Sequence, residues 1–164
     1  CMINESLNSR IHLTAAYPDQ QIIDMNSSKC PKTGLPMVRD TKPLSITYKG
    51  HSATINMPGW YCEQSGESIH TGDDMAVSDL ALNRLKAKVD GLLMPEDVKR
   101  IRKHLKLTQR EAGLIIGGGP NAFQKYESGE VLVSKAITSA LILLDKDPSG
   151  LKLLRRHGEN NRAA

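Results

Sequence analysis

Apolar positions along this 164-residue chain follow three different spacings. Residues 1–28 mix polar and apolar side chains without a sustained period, which predicts an extension without packed structure, carrying at most a short strand around Gln21, Ile22 and Ile23. Over 29–72, glycines and prolines punctuate short runs, and two of these alternate, at 44–48 and 53–57. The intervening Lys49-Gly50-His51-Ser52 makes them a β-hairpin, so this segment is expected to be a small antiparallel sheet domain. From Asp73 the period lengthens: Met75, Leu80, Leu82, Leu85 and Val89 predict a helix over 74–89. Asp90-Gly91 ends it, and 73–94 is read as helix plus linker before Pro95 opens the next element.

Five further helices are legible in 95–164. The first spans 95–106, with Val98, Ile101 and Leu105 on one face and Lys99, Arg100, Arg102, Lys103 and Lys106 largely on the other. Thr108-Gln109-Arg110-Glu111 forms a capping box that starts the second helix, which buries Ala112, Ile115 and Ile116. Gly117-Gly118-Gly119 must end it in a tight reversal. Pro120 then opens a short third helix from Asn121 to Glu127, closed by Ser128-Gly129. Ser134 caps the fourth, with Ile137, Leu141 and Leu144 inward, and Asp147-Pro148 starts the fifth, which ends near Gly158. The fold class is therefore α+β: a small antiparallel β-rich N-terminal domain followed by an all-α five-helix domain.

Composition narrows the function. Apolar residues make up 39% and aromatics 4%, with a mean hydropathy of −0.37. No membrane-length apolar stretch and no secretory leader are visible, so a cytoplasmic protein is expected. Three cysteines, Cys1, Cys30 and Cys62, are too few for a disulfide framework. The chain begins Cys1-Met2, and Met25 is read as a candidate natural start. Charge is uneven: 95–164 carries 13 Lys/Arg against 8 Asp/Glu, a net of +5, whereas 1–94 carries 9 against 10. The basic half is where a polyanion would bind.

Two short helices joined by a glycine turn in a basic all-helical unit follow the helix-turn-helix plan, whose second helix enters the DNA major groove. Asn121, Gln124 and Lys125 share one outward face by their spacing, with Ala122, Phe123 and Tyr126 inward. Asn pairs with adenine in two bonds and Lys donates to guanine acceptors, while the Gln109 backbone N–H is placed to reach a phosphate. Arg102 and Lys103 are further candidate phosphate contacts. The alternative for such a trio is a solvated helix face. Against it stands the setting: 107–112 followed by Tyr126-Glu127-Ser128-Gly129 resembles the helix-turn-helix of phage-repressor-like (Xre/Cro) regulators, in which Glu127 would be a scaffold residue. The triple glycine lacks a preceding strand and a Gly-Lys-Ser/Thr ending, which argues against a nucleotide-binding loop. No catalytic arrangement of Ser/His/Asp or paired carboxylates can be argued from spacing, so no enzyme is expected.

The span 29–156 as a whole resembles the MqsA family of antitoxins. The resemblance rests on Cys30-Pro31, Tyr48-Lys49-Gly50, Tyr61-Cys62, Gly66-Glu67, Arg102-Lys103-His104-Leu105, 107–112, 117–119, Asn121-Ala122-Phe123 and Leu144-Asp145-Lys146, in that order. It implies an N-terminal zinc-binding domain that holds a cognate ribonuclease toxin, and a C-terminal domain that dimerises and represses its own operon at palindromic operator DNA. By position, the family's base-reading Asn is Asn121, and Lys125 replaces its base-reading Arg, losing the planar fork. A stand-alone transcriptional regulator, with an N-terminal domain that senses a ligand or dimerises, is the alternative reading.

The metal site departs from the family. Two Cys-x-x-Cys pairs would make a four-cysteine zinc site, but here the pairs read Cys30-Pro31-Lys32-Thr33 and Cys62-Glu63-Gln64-Ser65. Each has lost one thiol to a hydroxyl, which favours a metal-free domain with Cys30 and Cys62 as small buried hydrophobes or a disulfide. His51, His70, Glu63 or Glu67 could complete a zinc site on the two remaining cysteines, although no spacing requires it. Without Cys-x-x-Cys, a redox enzyme is not supported.

Overall fold

A computed structural model describes residues 28–162. The expected strand at 21–23 and the start at Met25 lie outside them. Two long strands, β1 (Val38–Tyr48) and β2 (His51–Tyr61), pair antiparallel in a single register from Tyr48↔His51 to Val38↔Tyr61. The short β3 (Ser68–Ile69) adds to the far end of β2, giving the order β1-β2-β3. Helix α1 (Gly72–Asp90) follows, then α2 (Pro95–His104), α3 (Gln109–Ile115), α4 (Ala122–Ser128), α5 (Lys135–Lys146) and α6 (Gly150–Arg162). The α+β class holds, with α1 preceding the five C-terminal helices.

The hairpin is longer and its turn tighter than expected. Lys49 and Gly50 alone make the turn, with φ of 46° and 78°, the pair of positive angles that suits the twist of the flanking strands. Pro43 and Pro58 lie inside the strands rather than bounding them. Counted out from the hydrogen-bonded Tyr48↔His51 pair that closes the turn, both fall on non-hydrogen-bonded sites, opposite Asn56 and Thr41. Neither missing N–H therefore breaks a bond between β1 and β2.

Helix α1 runs beside β1 in the same direction, and each end is tied to it. Near the start, the Arg39 guanidinium donates two bonds to the Asp74 carboxylate, which is only 2% exposed and also accepts from the Thr71 N–H at 2.8 Å. At the other end, Asp90 accepts from the Tyr48 hydroxyl at 2.9 Å and from Lys49 Nζ at 2.7 Å. The expected apolar stripe on this helix holds only in part. Leu85 is buried with Ala87, but Met75 and Leu80 are exposed and a carboxylate lies inside instead. Spacing cannot anticipate this, because Asp74 goes inward to meet an Arg 35 residues away.

The C-terminal helices close on Val98, Ile101, Leu105, Leu107, Ala112, Phe123, Val133, Leu141 and Leu144. Helix α2 stops at His104, two residues short of expectation, because Lys106 turns left-handed with φ 54°. The Leu107 N–H then donates back to the Arg102 carbonyl at 3.2 Å and the Lys106 N–H to that of Lys103 at 3.0 Å, a Schellman ending that buries Leu107. Helix α6 begins at Gly150, after a turn in which Asp147 accepts from the Ser149 N–H at 3.0 Å. It continues through Gly158 to Arg162. A lone glycine weakens a helix by about 1 kcal/mol without ending it.

The Arg39 bonds, then the Thr71 N–H, hold the Asp74 carboxyl well below the usual carboxylate range. A carboxyl depressed in the folded state adds stability above its unfolded pKa of about 4 and loses it as pH falls through the folded value. Asp74→Asn is therefore expected to be less stable than the parent at pH 7 in urea titrations, with the gap narrowing as the pH is taken below about 4. A gap that does not change with pH would mean that the Asp74 charge contributes nothing.

Candidate functional site

The helix-turn-helix is built from local signals that all appear in the structure. Thr108 Oγ1 accepts from the Glu111 N–H at 3.2 Å, and Glu111 Oε2 accepts from the Thr108 N–H at 2.8 Å, so both halves of the capping box are made. Gly117, Gly118 and Gly119 have φ of 133°, 95° and 93° and turn the chain back on α3. The return passes so close to Gly113 that a Cβ there would lie 1.9 Å from the Gly119 carbonyl oxygen. This contact sets how near α4 sits to α3.

On α4, Phe123 is fully buried and meets Tyr126 edge to face at 5.7 Å, while Gln124 and Lys125 are exposed. Asn121 lies one residue before the helix rather than within it. It is the N-cap at φ −107°, ψ 0°, and its exposed side chain makes no capping bond. Asn121, Gln124 and Lys125 thus share the outer surface beside the glycine turn. Lys125 has one loose ionic neighbour, Glu130 at 4.0 Å.

The side chains of Arg102 and Gln109 are engaged inside the protein. Arg102 donates through Nε and one terminal nitrogen to Glu127 and through the other to the Leu107 carbonyl at 2.8 Å. Gln109 Nε2 donates to Glu127 Oε2 at 3.0 Å. The Arg102 and Glu127 side chains are 12% and 5% exposed. Burial pushes the Glu127 carboxyl up, but the Arg102 and Gln109 bonds outweigh it and hold the group below the usual range. This clamp joins α2, α3 and α4 beneath the exposed trio, and it gives Glu127 the scaffold position expected of it. Lys103, on α2, remains exposed.

A residue outside the expected set also reaches α4. Asn83 of α1 donates its amide to the carbonyls of Gly129 and Glu130, at 3.0 and 3.1 Å, where α4 ends. Beside it Arg84 grips Glu96 of α2 with two bonds. A polar residue on a polar helix face carries no signal for such a contact.

At the other end of the molecule, Cys30 and Cys62 are buried free thiols, 1% and 3% exposed, packed with Met37, Trp60 and Ile69. Thr33 and Ser65 complete the group: Cys30 Sγ lies 3.2 Å from Ser65 Oγ, and Thr33 Oγ1 lies 3.6 Å from Cys62 Sγ. The Ser65 hydroxyl, then that of Thr33, lowers the Cys30 thiol to about 6. Ser65 likewise lowers Cys62. The other candidate ligands lie elsewhere. His70 donates Nδ1–H to the Pro58 carbonyl at 2.8 Å, Glu67 pairs with Lys32 at 3.8 Å, and His51 and Glu63 are exposed. Among the described residues no three His, Cys, Asp or Glu side chains converge on one point, and no helix is long and apolar enough to cross a membrane.

Arg102→Ala would leave the Glu127 carboxylate buried without its cation, and urea unfolding should show a loss of about 3 kcal/mol. Gly113→Ala should cost about as much by forcing α3 off the glycine turn. A loss under about 0.5 kcal/mol, typical of surface positions, would refute the corresponding assignment.

Similarity to known proteins agrees with this architecture. Residues 25–155 match the family model described as the antitoxin component of bacterial toxin-antitoxin system, MqsA. Antitoxin MqsA of Escherichia coli (strain K12) is 33% identical over 121 residues, which span 73% of this chain and 92% of that protein. Vegetative-specific protein H7 of Dictyostelium discoideum is 36% identical over 63 residues, 38% of this chain and 56% of that protein. With four fifths of its length matched and its helix-turn-helix intact, the chain belongs to the MqsA family of toxin–antitoxin antitoxins.

Proposed function

We propose that this antitoxin represses its own operon by binding a palindromic operator as a homodimer, and that its N-terminal module holds a cognate ribonuclease toxin. In this reading it is a regulator rather than an enzyme. The observation that carries the DNA half is the trio Asn121, Gln124 and Lys125, exposed on one surface and backed by the buried Arg102–Glu127–Gln109 clamp. A helix fixed from behind presents its side chains to base edges at a set angle. Asn121 and Lys125 would read bases, with Gln124 beside them and Lys103 on a phosphate. Arg102 and Gln109 would act from behind by fixing the angle of α4.

Pairing through the C-terminal helices is supported by apolar side chains left on their surface: Ile142 and Leu143 of α5, and Leu153 and Leu154 of α6. Two recognition helices related by a two-fold axis require two half-sites, hence the palindrome. The toxin half of the proposal rests on family membership and assigns that partner to the hairpin side of the molecule.

Fluorescence anisotropy on operator and random duplexes tests the reading. Asn121→Ala and Lys125→Ala should each cost about 1 to 3 kcal/mol on the operator and little on random DNA. Equal losses on both duplexes would refute base reading. Lys103→Ala should weaken both alike and reduce the salt slope by about 1. Co-expression with the neighbouring gene tests the toxin half: a stable complex that suppresses toxicity is expected, and its absence alongside intact operator binding would leave a plain regulator.

A further inference from the structure

Two turns of the N-terminal module are copies of one another. In the first, the Cys30 carbonyl accepts from the Gly34 N–H at 2.8 Å and the Cys30 N–H donates to the Leu35 carbonyl at 2.8 Å. In the second, the Cys62 carbonyl accepts from the Gly66 N–H at 3.0 Å and the Cys62 N–H donates to the Glu67 carbonyl at 2.9 Å. Gly34 and Gly66 share a φ of 72°. Each turn offers a thiol at its first position and a hydroxyl at its fourth, and all four side chains meet. This is the backbone of a tetrahedral metal cage without the donor set of one. Two thiols remain, and alcohol oxygens of Thr and Ser are poor partners for zinc, which is held by thiolate, imidazole or carboxylate.

The hydrogen bonds show what has replaced the metal. They cross between the turns, Cys30 to Ser65 and Thr33 to Cys62. Four thiolates would repel one another and need a dication at their centre. Here each sulfur lies against a hydroxyl from the opposite turn, and a shared proton, from either the S–H or the O–H, links each pair. The two sulfurs are buried against Met37, Trp60 and Ile69, while Ser65 is half-buried and Thr33 reaches the surface, so the hydroxyls close the outer side of a buried thiol pair.

We propose that Cys30, Thr33, Cys62 and Ser65 form a metal-free thiol–hydroxyl core that holds the two turns together in place of zinc. The module then folds without metal, and its four positions keep the spacing of a metal cage. The inference concerns the N-terminal module alone and stands or falls independently of the DNA and toxin readings.

Metal analysis and melting of the full chain, grown with added zinc, test it. The parent should carry far less than one zinc per chain, and its Tm should not move when a chelator is added. Thr33→Cys with Ser65→Cys, which restores four thiols, should take up about one zinc per chain and acquire a Tm that falls on chelation. Thr33→Val with Ser65→Ala should lower the parent's Tm without changing its metal content. Stoichiometric zinc in the parent, lost on chelation with a fall in Tm, would overturn the proposal. So would a four-cysteine variant that folds but binds no zinc, since the four positions would then not form a cage.

Discussion

The placement of α4 depends on one buried charge pair. The Glu127 carboxylate, drawn below the surface at the end of a seven-residue helix, is stable there only because Arg102 and Gln109 meet both of its oxygens. A helix as short as α4 has little stability of its own. Its position comes from Phe123 in the core on one side and from this clamp on the other. The clamp also reaches the Leu107 carbonyl, where the chain leaves α2 through a left-handed Lys106. A single guanidinium thus joins α2, the turn that leads into α3 and the last turn of α4. The exposed trio projects from this frame, which fixes the helix backbone beneath it through residues that do not themselves face outward.

The N-terminal module solves a different problem. A hairpin of two eleven-residue strands and one long helix buries too little apolar surface to define its own geometry. Polar ties at the ends take over that role: Asp74 with Arg39, Asp90 with Tyr48 and Lys49, and the crossed thiol–hydroxyl pairs at the paired turns. The two halves are therefore pinned by specific contacts at a few points more than by broad packing, in keeping with an aromatic content of only 4%.

What was legible in the sequence divides along the range of the interaction. The capping box at Thr108, the glycine reversal, Ser134 at the head of α5 and the inward turn of Phe123 are set by neighbours within a few residues, and all are found as read. The hairpin was visible, but its length was not. Proline ordinarily bounds a strand, whereas Pro43 and Pro58 sit in register where no donor is needed. Long-range contacts left no local trace. Asp74 is inside because of Arg39, and Arg102 is committed to Glu127 25 residues away, so a basic face read as outward turned one member inward. The same limit applies to the cysteines. The loss of two thiols was plain, yet the crossing of hydroxyls onto the opposite sulfurs depends on two turns 32 residues apart having one shape.

Asn83 gives the two halves a shared stake. Its amide belongs to the helix that packs on the hairpin, and the carbonyls it holds are those that finish α4. Thermodynamic reciprocity then applies. A macromolecule that closes on the hairpin side and strengthens or strains this contact changes the affinity of any ligand held at α4 by some factor, and that ligand changes the affinity of the macromolecule by the same factor. With the two Asn83 bonds and the Arg84–Glu96 pair beside them making the connection, that factor is set by a few kcal/mol at most, enough to grade a binding equilibrium rather than to switch it outright.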